Sequence, residues 1–342
     1  MKLPSRGPRS ARAQHGLTLV ELLVGLALGL IVTAALLLVF AQASIAGQNL
    51  NRSSVQIETG RYISELLTED LRLAGFYGEA PIANATYAAP DPCGTDPSPA
   101  ASPTWASAPF VLPMPIQGYG SGVLLGCLSD RLAGTDALAM RRVSSETTAV
   151  AALGSGNAQH YVQYSYCEQD PVATKLVFGT AQAGFTLRNR ACTQANPLRA
   201  YVSHLYFVAR CNRCGNGGDS TPTLKRVDLT DGALVETAIA EGVEALRFEY
   251  GFDVDGNGSA DKYLTAEAAA ASAENWANAV AVKAHFITRS LQKVSGSSGL
   301  ATAQSFELGS TGPVNFAADG YTRRAYTTVI RLINPSGARE IQ

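Results

Sequence analysis

Three groups of residues in this chain have types and spacings that could do chemistry: a glycine and a glutamate at the start of an apolar run, an acidic loop, and six cysteines. The first group is Gly16, Leu17 and Glu21 in the stretch HGLTLVELLVGLALGL. A carboxylate inside an apolar helix is costly, so Glu21 is a candidate functional residue. Cleavage after Gly16 would make the amine of Leu17 a cation about one helical turn from that carboxylate.

Glu21 has two interpretations. In the first, the positive end of the helix favours the carboxylate, and the Leu17 amine of a neighbouring subunit pairs with it when apolar helices pack together. In the second, Glu21 only reaches the polar edge of a membrane from an ordinary anchor helix. The whole pattern around Gly16 favours the first interpretation.

The second group lies in DVDGNGSADKYL, where oxygen-bearing residues alternate as they do in a calcium-binding loop. The candidate ligands are Asp253, Asp255, Asn257, Ser259 and Asp261. Gly258 takes the sixth position, where such a loop turns sharply, but Leu264 stands at position twelve in place of the closing glutamate. Glu267 is a candidate replacement from outside the loop. The sequence predicts a weak Ca²⁺ site, and an acidic turn held by its own hydrogen bonds remains the alternative.

The third group is the six cysteines, an even number that fits an exported protein with up to three disulfides. Pairing of sequence neighbours is expected among the 15 possible connectivities. The expected pairs are Cys93 with Cys127, Cys167 with Cys192, and Cys211 with Cys214. The first would tie down a proline-rich loop, the second would bridge neighbouring strands, and the third would clip the tip of a hairpin.

The C-x-x-C spacing in RCNRCGNGG has two other interpretations. A structural zinc site needs a second pair of ligands, and the four histidines are scattered singly without ligand spacing. A thioredoxin-like motif should open a helix, whereas this one follows a predicted strand and enters glycines. A disulfide clip is therefore favoured over both.

The element that must position Gly16 and Glu21 is a long apolar helix. From Leu17 to Phe40 the only charged residue is Glu21, and such a helix would span a hydrocarbon core of about 30 Å. A basic flank without acidic residues precedes it, and this flank should stay in the cytoplasm. Two cleavage sites compete, Gly16 before the apolar run and an A-x-A site ending at Ala43. The apolar run is too long for an ordinary signal peptide, which favours Gly16.

The helix is expected to continue to about Ala74, with a possible break near Gly47, and to end at two glycines that follow. Its second half should present one apolar stripe. The stripe consists of Val55, Ile63, Leu66, Leu67 and Leu71. The predicted division is a leader at 1–16, a transmembrane half at 17–52, an amphipathic half at 53–78 and a globular domain at 79–342. Within the last, 81–122 is rich in proline, glycine and alanine and is expected to form a surface loop.

The rest of the chain predicts mainly antiparallel sheet. In VEALRFEYGF, Leu246, Phe248, Tyr250 and Phe252 share one face, and other late segments alternate similarly. The formal net charge of -1 offers no basic surface for nucleic acid. No known catalytic motif is present in the sequence, so we expect a protein that is not an enzyme.

The stretch HGLTLVELLVGLALGL resembles the prepilin signature of type IV pilins and type II secretion pseudopilins. By this resemblance Gly16 is the prepilin peptidase site, Leu17 is N-methylated, and Glu21 serves filament assembly. Later segments, among them HLYFVAR, EGVEALRFEYGFDVDGNGSADKY and TRRAYTTVIRLIN, together resemble the PilW family of minor pilins.

The resemblance implies an α+β, type IV pilin-like fold, with a long N-terminal helix packed on an antiparallel β-sheet globular domain. It implies a minor pilin that helps to initiate the pilus and lies at its tip. The implied partners are other minor pilins, the major pilin, prepilin peptidase, the inner-membrane assembly platform and a tip adhesin, without nucleic acid. The implied location is the inner membrane, with the globular domain in the periplasm, and then the extracellular pilus.

Two other functions remain open at this point. A pseudopilin of type II secretion shares the signature and differs in its partners. A secreted enzyme or adhesin behind an ordinary signal peptide would lose the apolar helix by cleavage after Ala43.

Overall fold

The structure is a computed structural model that describes residues 16, 18–78, 80, 85–97, 105–107, 110–171, 175–293 and 302–340. The chain divides into two compact units, Met1–Arg52 and Ser53–Gln342. The expected leader at 1–16 lies outside the described residues except for Gly16, and Leu17 also lies outside them.

The first element is helix α1, Leu19–Arg72. The helix continues through Gly47, where the sequence left a break open. By its length and composition, this helix is long and apolar enough to cross a membrane. Every described side chain from Leu19 to Leu50 is exposed within the chain, as expected for a helix whose apolar surface contacts lipid or other helices.

The second half of α1 belongs to the second unit, the globular unit, and buries one face against the sheets of that unit. Ile63, Leu67 and Leu71 are fully buried, as the apolar stripe predicts, and Leu66 packs partly against them. Val55 departs from the prediction, because its side chain is 44% exposed.

Two residues that the hydrophobic pattern did not include continue the buried face. Gln56 is buried, and its amide nitrogen donates to the carbonyl of Thr322 at 2.7 Å. Gly60 is buried under the ring of Tyr326, so the absence of a side chain lets the sheet approach the helix closely. The helix then ends before Gly75 and Gly78, both at positive φ, as predicted.

The globular unit is built from sixteen strands and two further α-helices among its described residues. The strands are β1 (Thr86–Ala88), β2 (Ala106–Ser107), β3 (Phe110–Pro113), β4 (Ile116–Tyr119), β5 (Ala137–Val143), β6 (Tyr161–Tyr164), β7 (Leu176–Gly179), β8 (Arg199–Ala209), β9 (Thr223–Thr230), β10 (Ala233–Glu241), β11 (Val243–Phe252), β12 (Lys262–Thr265), β13 (Ala279–Arg289), β14 (Gln304–Glu307), β15 (Pro313–Phe316) and β16 (Arg323–Arg331). The helices are α2 (Ala266–Ala271) and α3 (Ile333–Glu340).

Two sheets form the main body. The larger sheet has the order β10-β9-β8-β5-β4, and β6 joins it through β8 and carries β7. The smaller sheet has the order β12-β11-β13-β16, with antiparallel pairing throughout. A small sheet β1-β3-β2 and the hairpin β14-β15 complete the unit. The predicted combination of a long N-terminal helix with an antiparallel globular domain of class α+β is confirmed.

One core joins the helix to both main sheets. The apolar stripe of α1 packs with the inner residues of β5, β8, β11 and β13. Leu246, Phe248, Tyr250 and Phe252 are all fully buried on that inner face, as the alternation in β11 predicts. Glu249, on the opposite face, is also buried, because the segment around Ser310 covers it.

The expectation of a surface loop at 81–122 is wrong in its described part. Strands β1 to β4 lie in this segment, and Leu112 and Ile116 are fully buried. Arg141, buried in β5, donates to the carbonyls of Pro90 and Met114 and holds the segment against the larger sheet. Proline here is compatible with strands because the strands are very short, and proline is tolerated at strand ends and edges.

Candidate functional site

The described N-terminal residues form a helix cap. Gly16 is exposed, and Thr18 precedes the first helical residue. The hydroxyl of Thr18 accepts a hydrogen bond from the backbone N–H of Glu21 at 3.3 Å. The spacing T-x-x-E is that of a capping box, a signal that identifies Thr18 as the N-cap from the sequence. The helix therefore starts at Leu19, three positions after Gly16, with the exposed Glu21 carboxylate in its first turn, where the helix dipole favours a negative charge.

The acidic loop between β11 and β12 brings together three of its five candidate ligands. Carboxylate oxygens of Asp253, Asp255 and Asp261 lie within 4.8 Å of one another. Asn257 and Ser259 are exposed, and the Asn257 side-chain oxygen accepts a hydrogen bond from the backbone N–H of Ser259 at 2.7 Å.

The first ligand position is already bonded to a cation of the chain itself. Arg339, in α3, donates from Nε to Oδ2 of Asp253 at 2.6 Å. The backbone N–H groups of Gly256 and Gly258 donate to the same carboxylate at 2.7 and 2.9 Å. Burial by itself raises the pKa of Asp253, but these hydrogen bonds outweigh it and lower the pKa to about 2.

Helix α3 packs onto this loop through further contacts. Ser336 donates from its hydroxyl to the carbonyl of Gly258 at 2.5 Å. Gly258 has a φ of +80°, and a Cβ there would lie 2.8 Å from the carbonyl oxygen of Ser336. The glycine required by the loop turn is thus also required by the close approach of α3.

The donor set fits a calcium ion only in part. Three carboxylates converge, but Leu264 lies in β12 and has no side-chain oxygen to close the site as a glutamate would. Glu267, the candidate replacement, accepts a hydrogen bond from the backbone N–H of Ser121 at 3.0 Å, so its carboxylate is bonded to a different loop. Because Arg339 balances the charge of Asp253, calcium would have to displace or tolerate a guanidinium. Calcium binding stays a prediction, and the contact that closes this loop in the structure is Arg339.

The three disulfides join sequence neighbours, the pairing expected from the sequence. Cys93 bonds Cys127, Cys167 bonds Cys192, and Cys211 bonds Cys214. The first ties the proline-rich segment to the connection between β4 and β5. The second joins two loops rather than neighbouring strands, because Cys167 follows β6 and Cys192 lies in a turn with a φ of 59°. The third lies at the tip of the β8–β9 hairpin, as predicted.

A charged group lies beside the third disulfide. Lys225, in β9, places its Nζ 3.8 Å from the Sγ of Cys214 and 2.6 Å from a carboxylate oxygen of Glu236. Its side chain is only 4% exposed. A lysine eleven residues after the C-x-x-C gives no sequence signal, since only the strand pairing brings it to the sulfur.

Another polar cluster that the sequence did not reveal holds the end of α1 to the larger sheet. His204 Nδ1 lies 2.6 Å from Oδ2 of Asp70, and the hydroxyl of Tyr206 donates to the same oxygen at 2.7 Å. Burial alone raises the pKa of Asp70, but the bonds from His204 and Tyr206, with the charge of Arg142, outweigh it and lower the pKa below its usual value. The cluster fixes the helix end on the sheet.

Residues 205–334 match the family model of type IV pilus assembly protein W, PilW. The resemblance to PilW inferred from the sequence is thereby confirmed over the segment from β8 to the start of α3, which contains the acidic loop and the C-x-x-C clip. The prokaryotic N-terminal methylation motif matches residues 11–37, which include Gly16, Leu17 and Glu21. The two matches support a role in type IV pilus assembly and membrane anchoring through the N-terminal helix.

A type IV-like pilin from Thermus thermophilus is similar to this chain at a TM-score of 0.25 and 11% sequence identity, over 59% of this chain and 78% of that chain. No curated protein matches the sequence.

Proposed function

We propose that this protein is a minor pilin: a structural subunit that helps to initiate the type IV pilus together with other minor pilins and lies at the pilus tip. The observation that carries the proposal is the combination of a prepilin-type start with a PilW-type body in one chain. A pseudopilin of type II secretion shares only the start. The PilW match therefore favours the pilus.

The proposed role of the N-terminus is processing followed by helix packing. Prepilin peptidase cleaves after Gly16, and Leu17 becomes the methylated first residue. The apolar half of α1 anchors the subunit in the inner membrane, with the globular unit in the periplasm, and later packs among the helices of the major pilin and other minor pilins. Glu21 is the only charged residue from Leu17 to Phe40, and its position in the first turn supports pairing with a neighbouring Leu17 amine.

The disulfides of the globular unit support a subunit that works outside the cytoplasm. Three disulfides stabilise segments that lie outside the two main sheets, which suits a protein exposed to the periplasm and the medium. The assembly platform, the other minor pilins and a tip adhesin are the proposed partners of this subunit.

The first experiment is intact-mass and N-terminal analysis of the protein isolated from its native host. A chain that starts at methylated Leu17 supports the proposal. A chain that starts at Ser44 overturns it, because the apolar helix would then be removed as a signal peptide.

The second experiment is replacement of Glu21 by alanine. The variant should be processed and inserted in the membrane, yet absent from sheared pili, since the helix loses the proposed ion pair with the Leu17 amine of a neighbouring subunit. Glu58→Ala is the matched control, because Glu58 is an exposed carboxylate on the same helix outside its apolar half. Glu21→Ala at the native level in sheared pili, with normal piliation, would contradict the assembly role.

A further inference from the structure

We propose that Cys211–Cys214 is a thiol–disulfide exchange site, which dithiol reductants open while the other two disulfides stay closed, and in which Lys225 holds the thiolate of Cys214. The proposal concerns the tip of the β8–β9 hairpin and does not depend on the role of the protein in the pilus.

The main observation is a buried cation at one sulfur. The ammonium of Lys225 lies 3.8 Å from Cys214 Sγ, and the side chain is almost fully shielded from water. A charge that is shielded from water acts more strongly on its neighbour, and a nearby lysine favours the thiolate over the thiol. Reduction of this disulfide therefore produces an anion that the fold already accommodates.

The environment of the second disulfide provides a contrast. Lys175 also lies near a disulfide, but its Nζ donates to the backbone carbonyl of Cys167 and not to sulfur. Among the described residues, no lysine or arginine donates a hydrogen bond to a sulfur of the other two disulfides. Within the part of the chain that the structure describes, Cys214 is the one disulfide cysteine whose sulfur accepts a hydrogen bond from a cationic side chain.

Other charges around the clip oppose one another. The carboxylate of Asp130 lies within 4.8 Å of both sulfurs and disfavours a thiolate. Arg210 donates to Asp130 at 2.7 Å and offsets that charge. Glu236 shares the ammonium of Lys225 at 2.6 Å, so the carboxylate of Glu236 weakens the effect of Lys225 on the sulfur. Glu236 is therefore the residue whose removal should strengthen the effect.

Opening this disulfide costs the fold less than opening the others. Cys211 and Cys214 are separated by 3 positions, against 34 and 25 for the other two pairs. A disulfide constrains the unfolded chain less when the loop that it closes is shorter, so this clip contributes less than the other two. The hairpin is also held by the ladder between β8 and β9, which does not involve the clip.

The exchange proceeds in two steps that balance. A thiolate of the reductant attacks Sγ of Cys214, the less buried of the two residues, and Cys211 leaves as a thiolate and takes up a proton. The second thiol of the reductant, as a thiolate, then attacks the reductant sulfur that is bonded to Cys214 in the mixed disulfide. Cys214 then leaves as a thiolate beside Lys225, and the reductant departs as a cyclic disulfide. Two electrons pass to the clip.

The experiment uses the full chain in detergent micelles, equilibrated with graded ratios of reduced to oxidised dithiothreitol. Free thiols are trapped with N-ethylmaleimide and located by peptide mass spectrometry. Cys211 and Cys214 should be labelled together at a ratio that leaves the other four cysteines unlabelled. Labelling of all six cysteines at the same ratio would overturn the proposal.

Two variants with opposite expected effects separate electrostatics from loosened packing. Lys225→Met should require a reductant ratio at least about tenfold higher for half-labelling of the clip, the equivalent of one unit in the thiolate pKa. Glu236→Gln should lower the required ratio, because it leaves the ammonium free for the sulfur. Lys175→Met is the matched control and should leave the clip unchanged. Shifts in the same direction for Lys225→Met and Glu236→Gln, or no shift in either, would overturn the role of Lys225.

Discussion

The contact between Gly60 and Tyr326 offers the sharpest test of how the helix is fixed on the sheet. A Cβ at Gly60 would overlap the Tyr326 ring, and even the farthest of the three ring carbons nearest to it would lie only 2.6 Å away. The ring itself is held, because it stacks on Phe286 at 5.2 Å and its hydroxyl donates to the carbonyl of Gln56 at 2.8 Å. We therefore predict that Gly60→Ala destabilises the globular unit.

The magnitude follows from opposing contributions. Alanine in place of glycine favours a helix by about 1 kcal/mol. Overpacking of a well-filled contact costs about 1–3 kcal/mol. Displacement of the ring also removes the hydrogen bond of Tyr326 to Gln56, at a further cost of about 1 kcal/mol. The net loss should be about 2 kcal/mol, which corresponds to a fall in melting temperature of about 4 °C in a unit of this size.

The assay is thermal unfolding of the full chain in detergent, followed by tryptophan fluorescence. Gly47→Ala is the matched control on the same helix, because a Cβ there meets nothing within 4 Å. In a Tyr326→Ala background the ring is absent, so Gly60→Ala should become stabilising by about 1 kcal/mol. The reasoning is refuted if Gly60→Ala is as stable as the native chain, or if its effect has the same sign and size in both backgrounds.

Three other predictions concern charged contacts. The free energy of unfolding should fall as the pH drops from about 4 towards about 2, because the folded pKa of Asp253 lies below its unfolded value and protonation breaks the bond to Arg339. Urea unfolding at several pH values measures this dependence. The Arg339→Gln variant should lose much of it. Millimolar calcium should raise the melting temperature of Arg339→Gln more than that of the native chain, because the guanidinium no longer competes for Asp253. If the melting temperature of neither protein changes with calcium, the loop is not a calcium site. Asp70→Asn should cost about 1–3 kcal/mol at neutral pH and less in acid. The folded pKa of Asp70 is lowered, so the stability that the contact with His204 and Tyr206 contributes is fully present above the unfolded pKa and is lost as the pH falls through the folded pKa. A cost in urea unfolding that does not shrink as the pH falls from 7 into the acid range would contradict this.

Local pattern was a good guide wherever one segment carries the signal. The apolar run and the stripe at Ile63, Leu67 and Leu71 are properties of one helix. A helix repeats its faces at a fixed period, so these residues could be assigned from spacing alone.

The same reasoning failed where composition was taken as a proxy for structure. The segment 81–122 was expected to be a surface loop because it is rich in proline, yet Leu112 and Ile116 belong to the buried core. Short strands at the edge of a sheet tolerate neighbouring prolines, and the apolar residues between them are buried whatever the local propensity.

The sequence by itself determined the prepilin-type start, the long helix and the antiparallel body, because each depends on spacing along the chain, whereas the disulfide pairing was one expectation among 15 that the structure decided. Only the tertiary structure decided which residues from distant parts of the chain come into contact. Arg339 reaches Asp253 from 86 positions away, Tyr326 covers Gly60, and Lys225 meets Cys214 through the β8–β9 hairpin. These contacts depend on strand register and on how the helices pack, and no periodicity in the sequence encodes the identity of a distant partner.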